Sequence, residues 1–112
     1  MNAIRKLIRT DGSEHDLIGP ISNGDAAALI AADALDVVPL FHLGRPLHVM
    51  LVDDNAWATE VVERENHIEL RALTPKKPIN ARATALYLAN CKPGTTHQIA
   101  GDVVIVPDDD YA

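Results

Sequence analysis

Apolar and polar positions alternate along this chain in short blocks, most of them of strand length. From Ala3 to Arg9, Ile4, Leu7 and Ile8 stand among Arg5, Lys6 and Arg9; Asp11-Gly12 follows, and His15 to Ile18 resumes the run. Asp-Gly adopts the positive φ values that a tight hairpin turn requires, so these blocks predict an opening hairpin with a basic exposed face. Leu35 to Leu40 (LDVVPL) reads as a strand. Pro39 lacks a ladder donor and places that strand at an edge or a strand end. Gly44-Arg45-Pro46 turns the chain, and Leu47 to Val52 (LHVMLV) is nearly all apolar, as a strand covered on both faces must be. Gly101 to Pro107 (GDVVIVP) is another unbroken apolar run and predicts a central strand.

Two segments carry helix signals. Ser22 stands three residues before Asp25, a variant of the capping box, and DAAALIAAD from Asp25 to Asp33 is rich in the best helix formers. Leu29 and Ile30 are expected to face the core, and Asp25 suits the positive end of the helix dipole. Farther on, Pro75 and Pro78 bracket Lys76-Lys77 in a stiff connector. Asn80 is a good N-cap for ARATALYLANC, Pro93-Gly94 stops that helix, and its alanines permit close packing on a sheet.

Trp57 to Leu73 fits two patterns. As a helix it places Trp57, Ala58 and Val61 on one face. As a hairpin it turns at Glu65-Asn66, and HIELRAL alternates, with Ile68, Leu70 and Ala72 on one side. The hairpin register also sets Glu60 opposite Arg71, a favourable cross-strand pair. The alternation and the β-branched Thr59, Val61 and Val62 favour the hairpin. The resulting order, β-β-α-β-β-β-β-α-β, predicts an α+β fold. It consists of a mostly antiparallel (mixed) β-sheet with two short α-helices in a single compact domain over residues 1–112.

Composition agrees with one globular domain: 112 residues, 47% hydrophobic and 23% charged. Only four residues are Phe, Trp or Tyr, so the core must be aliphatic. Cys91 is the sole cysteine, which rules out an intrachain disulfide and fits a reducing compartment. MNAIRKLIRT lacks the apolar stretch and cleavage site of a signal peptide, and no apolar run reaches the ~20 residues of a membrane span. A cytoplasmic location is the expectation.

The net charge of −6 argues against direct nucleic-acid binding. Its distribution is polarised. Asp53 to Glu69 holds six acids and one base, whereas Leu70 to Gly101 holds five bases and no acid. Runs of like charge are most often solvated faces. One cluster resists that reading, because Lys76, Lys77 and Arg82 surround the start of the helix capped by Asn80. Free N–H groups and the helix dipole already make that end positive. An anion, such as a phosphate, a nucleotide or a partner's carboxylates, would be held there by Lys76, Lys77, Asn80 and Arg82. The alternative is that these side chains point into water or reach the acidic stretch Asp53 to Glu69.

Other chemistry is thin. No two of His15, His42, His48, His67 and His97 have the spacing of a helical zinc pair, and no metal or cofactor is implied. Walker, G-x-S-x-G and G-x-G-x-x-G motifs are missing, and no catalytic residue is expected. Cys91 and His97 could form a nucleophile–base pair, but a lone Cys ending an apolar helix reads as a small hydrophobe. Asp108-Asp109-Asp110 reads as a solvated tail, and Asp53-Asp54 as strand-end turn chemistry.

PINARATALYLANCKPGTTHQIAGDVVIVPDDD from Pro78 to Asp110 resembles the signature region of a family of small uncharacterised domains carried by bacteriophages, plasmids and their bacterial hosts. LDVVPLFHLGRPLHVMLVDD and the opening strand with its Asp-Gly turn are similar to that family too, so the resemblance spans nearly the whole chain. It carries no activity, cofactor or site residue. It implies that the segment between Asp54 and Pro78 can be shorter, which makes the Trp57–Leu73 hairpin an elaboration on a smaller core. The implied context is a non-enzymatic accessory protein that binds another protein, alone or as a homodimer. The alternative is a small-ligand binder that captures a phosphate-bearing metabolite.

Overall fold

The computed structural model describes residues 3–91, 94 and 96–110, with side chains described except at 59, 60 and 70–73. Nine elements follow in the predicted order: β1 (Lys6–Ile8), β2 (Glu14–Asp16), α1 (Asn23–Ile30), β3 (Leu35–Leu40), β4 (His48–Asp53), β5 (Trp57–Glu63), β6 (Ile68–Pro75), α2 (Ala81–Ala89) and β7 (Val103–Pro107). Five strands form one sheet in the order β2-β1-β7-β4-β3, and β5 and β6 form a separate two-stranded sheet. Every neighbouring pair is antiparallel. The fold is α+β. Among the described residues, no helix is long and apolar enough to cross a membrane.

Side-chain alternation splits the sheet into two apolar faces. Leu7, Val49, Leu51, Val104 and Val106 meet Ala26 and Ile30 of α1, while Ile8, Met50, Val52, Val103 and Ile105 meet Ala83 of α2. One helix therefore covers each face, which is why β4 and β7 are buried at every position. β7 is the middle strand, and β3, with Pro39, is an edge. The opposite edge, β2, is short and exposed at all three positions, so it offers little template for edge-to-edge association.

The helices begin as the sequence indicates and pack somewhat differently. Ser22 caps α1 by accepting a 3.1 Å hydrogen bond from the Asp25 N–H. Its core-facing positions are Ala26 and Ile30, one turn apart; Leu29, expected inside, is 39% exposed. The small alanine lets the helix sit close to the sheet and turns Leu29 outward. α1 ends at Ala31, which adopts the left-handed conformation at φ 54°. α2 stops at Ala89, ahead of Pro93-Gly94, because Asn90 closes it: its Nδ2 donates to the Leu86 carbonyl and its Oδ1 accepts from the His42 N–H.

Trp57 to Leu73 is a hairpin. Its register holds from Trp57↔Pro75 to Thr59↔Leu73 and resumes at Val61↔Leu70. Position 60 therefore stands against 71 and 72 across a bulge; the expected Glu60–Arg71 side-chain pair lies outside the described side chains. The Lys76 N–H closes the base of the hairpin on the Ala56 carbonyl at 2.8 Å.

Asn80 joins the elements at one end of the sheet. Its side chain is fully buried, its Nδ2 donates to the carbonyls of Ile8 and Gly101 at 3.0 Å each, and its Oδ1 accepts from the Ala83 N–H at 3.0 Å. The Asn80 N–H reaches the Ile99 carbonyl, the Gly101 N–H reaches that of Pro78, and Thr84 Oγ1 accepts from the Ile99 N–H. Gly101 makes this possible. Its φ is +84°, and a Cβ there would lie 3.0 Å from Lys77 Cδ.

Asp108 and Asp109 are exposed, as a solvated tail would be, but Asp110 is tied down. Asp110 accepts two hydrogen bonds from the Arg5 guanidinium, at 2.7 and 2.9 Å, and one from the Ile21 N–H at 3.2 Å; its side chain is 6% exposed. The planar fork of arginine suits such two-point pairing, and it fastens the chain end to β1 and to the loop entering α1.

Two outcomes are expected. Asn80→Ala removes the cap and strands two buried carbonyls, so urea unfolding should show a loss of about 2–4 kcal/mol. Hydrogen bonding from Arg5, with the Ile21 N–H and the Arg5 charge, outweighs burial and holds the Asp110 carboxyl below its ordinary value. A depressed carboxyl stabilises the fold above its unfolded pKa of about 3.9 and loses that contribution as pH falls through the folded value. Asp110→Asn should therefore be less stable than the parent by a constant margin above about pH 5. In acid titrations followed by circular dichroism, that margin should shrink below about pH 4.

Candidate functional site

A helix is about 10 Å across, whereas the outer strands of a five-stranded sheet lie about 19 Å apart. One helix per face therefore leaves flanks. On the α2 face both flanks are concave, and they differ in charge.

The first is a groove of about 210 Å³ between α2 and the β1–β2 side of the sheet. Ile8 and Ile105 form its buried floor, and Ile4, Leu43 and Leu86 are its half-buried walls. The Ile4 wall is held by its N–H, which donates to His48 Nε2 at 2.8 Å. His48 is fully buried; with Nε2 accepting, its neutral ring carries the proton on Nδ1, which finds no partner among the described residues. At the mouth, Glu14 bridges two cations: Oε1 to Lys6 Nζ at 3.1 Å and Oε2 to Arg82 Nε at 3.0 Å. The hydrogen bond from Lys6, then the charges of Lys6 and Arg82, hold the Glu14 carboxyl below its ordinary value against a smaller opposing effect of burial. The terminal nitrogens of Arg82 make no hydrogen bond among the described residues.

The second flank is a cleft of about 150 Å³ at the root of the hairpin, lined by Asp36, Asp53, Asp54, Trp57 and His97. His97 packs on Trp57 with ring centroids 5.3 Å apart and meets Tyr87 of α2 edge-on at 6.1 Å, which ties the hairpin root to the helix. Asp53 Oδ1 accepts from the Asn55 N–H, the expected turn chemistry, and its Oδ2 lies 2.6 Å from Lys77 Nζ. Burial pushes the Asp53 carboxyl up. Hydrogen bonds from Lys77 and the Asn55 N–H, with the charges of Lys77 and Lys76, outweigh it and leave the group below its ordinary value.

The four residues grouped by the sequence at the start of α2 do not converge. Asn80 is consumed by the fold. Lys77 turns to the opposite face, where its ammonium also donates to the carbonyls of Ile30 and Ala31 at 3.0 Å each and so caps α1. Arg82 joins the mouth of the groove. Lys76 is exposed beside the hairpin base. Lys6 and Glu14, which complete the mouth, were not singled out by sequence. Their link is the strand register, which pairs Ile8 with Glu14 and Lys6 with Asp16 and thus sets Lys6 and Glu14 on one face.

Among the described residues, no group of three or more His, Cys, Asp or Glu is placed to hold a metal ion. Cys91 lies just beyond α2, half-buried, and its thiol, together with burial, pushes the pKa of the Tyr87 hydroxyl up. No family model, curated protein or solved structure matches this chain.

The Lys77 contacts lead to a measurable contrast. Lys77→Met leaves a nearly buried Asp53 carboxylate without its cation and should cost about 1–3 kcal/mol in urea unfolding. Lys76→Met, one residue away and solvated, should stay within about 0.5 kcal/mol of the parent.

Proposed function

We propose that the protein is a non-enzymatic accessory protein of the phage and plasmid type, and that it acts by binding another protein through the β5–β6 hairpin. One observation carries this reading: the hairpin is an arm, not a part of the core. It belongs to its own two-stranded sheet, and its contacts with the body concentrate at its base. The arm contributes to a radius of gyration of 15.5 Å and a longest extent of 56 Å, where a compact chain of about 100 residues has a radius near 13 Å. An isolated two-stranded hairpin is marginally stable in water.

The surface of the arm suits a protein partner. Val61 and Ile68 are 57% and 64% exposed, and the register places them on the same face. Both outer edges of the small sheet are open to strand addition, in which main-chain hydrogen bonds supply affinity and side-chain pockets supply specificity. Glu63 stands on this face opposite Ile68, Glu65 is at the turn, and Glu69, on the other face, is shared by Arg64 at 3.6 Å and His67 at 2.9 Å. That surface favours a partner with a basic rim. The small-ligand reading draws support at a different place, the groove beside Arg82.

The test is affinity capture from a bacterial lysate with the parent protein and with a Val61→Ser, Ile68→Ser double variant. The exposed positions predict an unfolding free energy within about 1 kcal/mol of the parent. A partner retained by the parent, lost by the variant, and bound less tightly as salt rises supports the reading. Capture of no specific protein, or equal capture by both, removes it.

A further inference from the structure

The groove between α2 and β1 combines two features that a solvated flank does not need. Its floor and walls are aliphatic, and its lining holds two cations, Lys6 and Arg82, against the one carboxylate of Glu14. Size narrows the occupant. A dry cavity of about 150 Å³ lined by aliphatic and aromatic side chains takes up benzene, so about 210 Å³ accommodates a body moderately larger. That is too small for a nucleotide, and inorganic phosphate would leave the aliphatic floor unfilled. A ligand that satisfies both parts has an apolar chain and one anionic head.

We propose that this groove binds a small aliphatic monocarboxylate of roughly six to eight carbons, its chain on Ile8, Ile105 and Leu86 and its head against Arg82 and Lys6. Arg82 Nε donates to the Gly12 carbonyl at 3.4 Å and lies 3.0 Å from Glu14 Oε2 as an ion pair, and its terminal nitrogens remain for a second carboxylate in the two-point geometry that guanidinium favours. Glu14 then has two roles. It holds Arg82 and Lys6 at the mouth, and its own charge opposes the incoming anion. This site is separate from the arm, so its failure leaves the partner-binding proposal standing, and the reverse also holds.

Octanoate is the probe, titrated into the full chain and followed by amide chemical shifts, with octanol and inorganic phosphate as comparisons. Octanoate should shift resonances of Ile4, Ile8, Leu43, Leu86 and Ile105 and bind at least tenfold more tightly than octanol. Phosphate should leave those resonances in place. Arg82→Gln should weaken octanoate about tenfold or more. Glu14→Gln should tighten it several-fold, an effect that a purely structural role for the mouth would not produce. Leu86→Trp, which fills the groove, should abolish binding; Lys76→Met, which removes a solvated cation outside the groove, should leave it unchanged and serves as the folded control. The proposal is overturned if octanoate moves no groove resonance, if octanol binds equally well, or if phosphate alone occupies the mouth. Weaker octanoate binding in a folded Glu14→Gln protein would also overturn it.

Discussion

A single buried amide decides where the second helix starts, and most of the surface follows from that. Asn80 offers two donors and one acceptor, and it meets two carbonyls and one N–H with all three bonds made inside the protein. Aspartate could keep the cap but would turn oxygen lone pairs on two carbonyl oxygens. An aliphatic residue would satisfy none of the three. Because the carbonyls belong to the end of β1 and to the loop entering β7, the amide fixes the origin of α2 relative to adjacent strands. The helix then lies over the middle of its face, and the flanks on either side become the groove and the cleft.

The charges arranged around this frame explain why linear clustering misleads. Lys76, Lys77 and Arg82 look like one positive patch at a helix start. In space, Lys77 crosses to the Ile30 and Ala31 carbonyls and to Asp53, Lys76 stays in water, and Arg82 joins Glu14. An extended connector sends successive side chains in opposite directions, and a lysine stem is long enough to reach a neighbouring layer. The same reach is visible at Arg5, whose partner Asp110 lies 105 residues away. The Arg5 contact has no local signal, since it depends on which distant segments the sheet brings together, whereas Lys77 reaches Asp53 in the acidic stretch that the charge pattern offered as the alternative to an anion site.

What the sequence does reveal is the part governed by local rules. Period-two alternation, the Asp-Gly turn, the two apolar runs, Pro39 at an edge and the caps at Ser22 and Asn80 each reflect a backbone requirement satisfied within a few residues. Helix faces are harder to read. In an alanine-rich helix nearly every position is compatible with burial, so hydrophobicity points to Leu29 while packing selects Ala26. The groove belongs to the same class of features. Lys6 and Arg82 lie on different elements, and only the register of β1 with β2 and the placement of α2 bring both to Glu14.

Charge also separates the two flanks in a way that composition hides. On the β1 side, two cations against one carboxylate leave the mouth positive. On the β3 side, Lys77 neutralises Asp53, while Asp36 and Asp54 have no cation within ion-pair distance among the described residues, so the cleft is negative. A protein of net charge −6 therefore presents opposite potentials on the two sides of one short helix. The low-dielectric helix between them limits mutual screening, and each concave flank concentrates its own field. The net charge repels an anion from the protein as a whole, and Lys6 and Arg82 attract it locally at the groove mouth. For the proposed carboxylate, that contrast would set where the head settles without a dedicated loop.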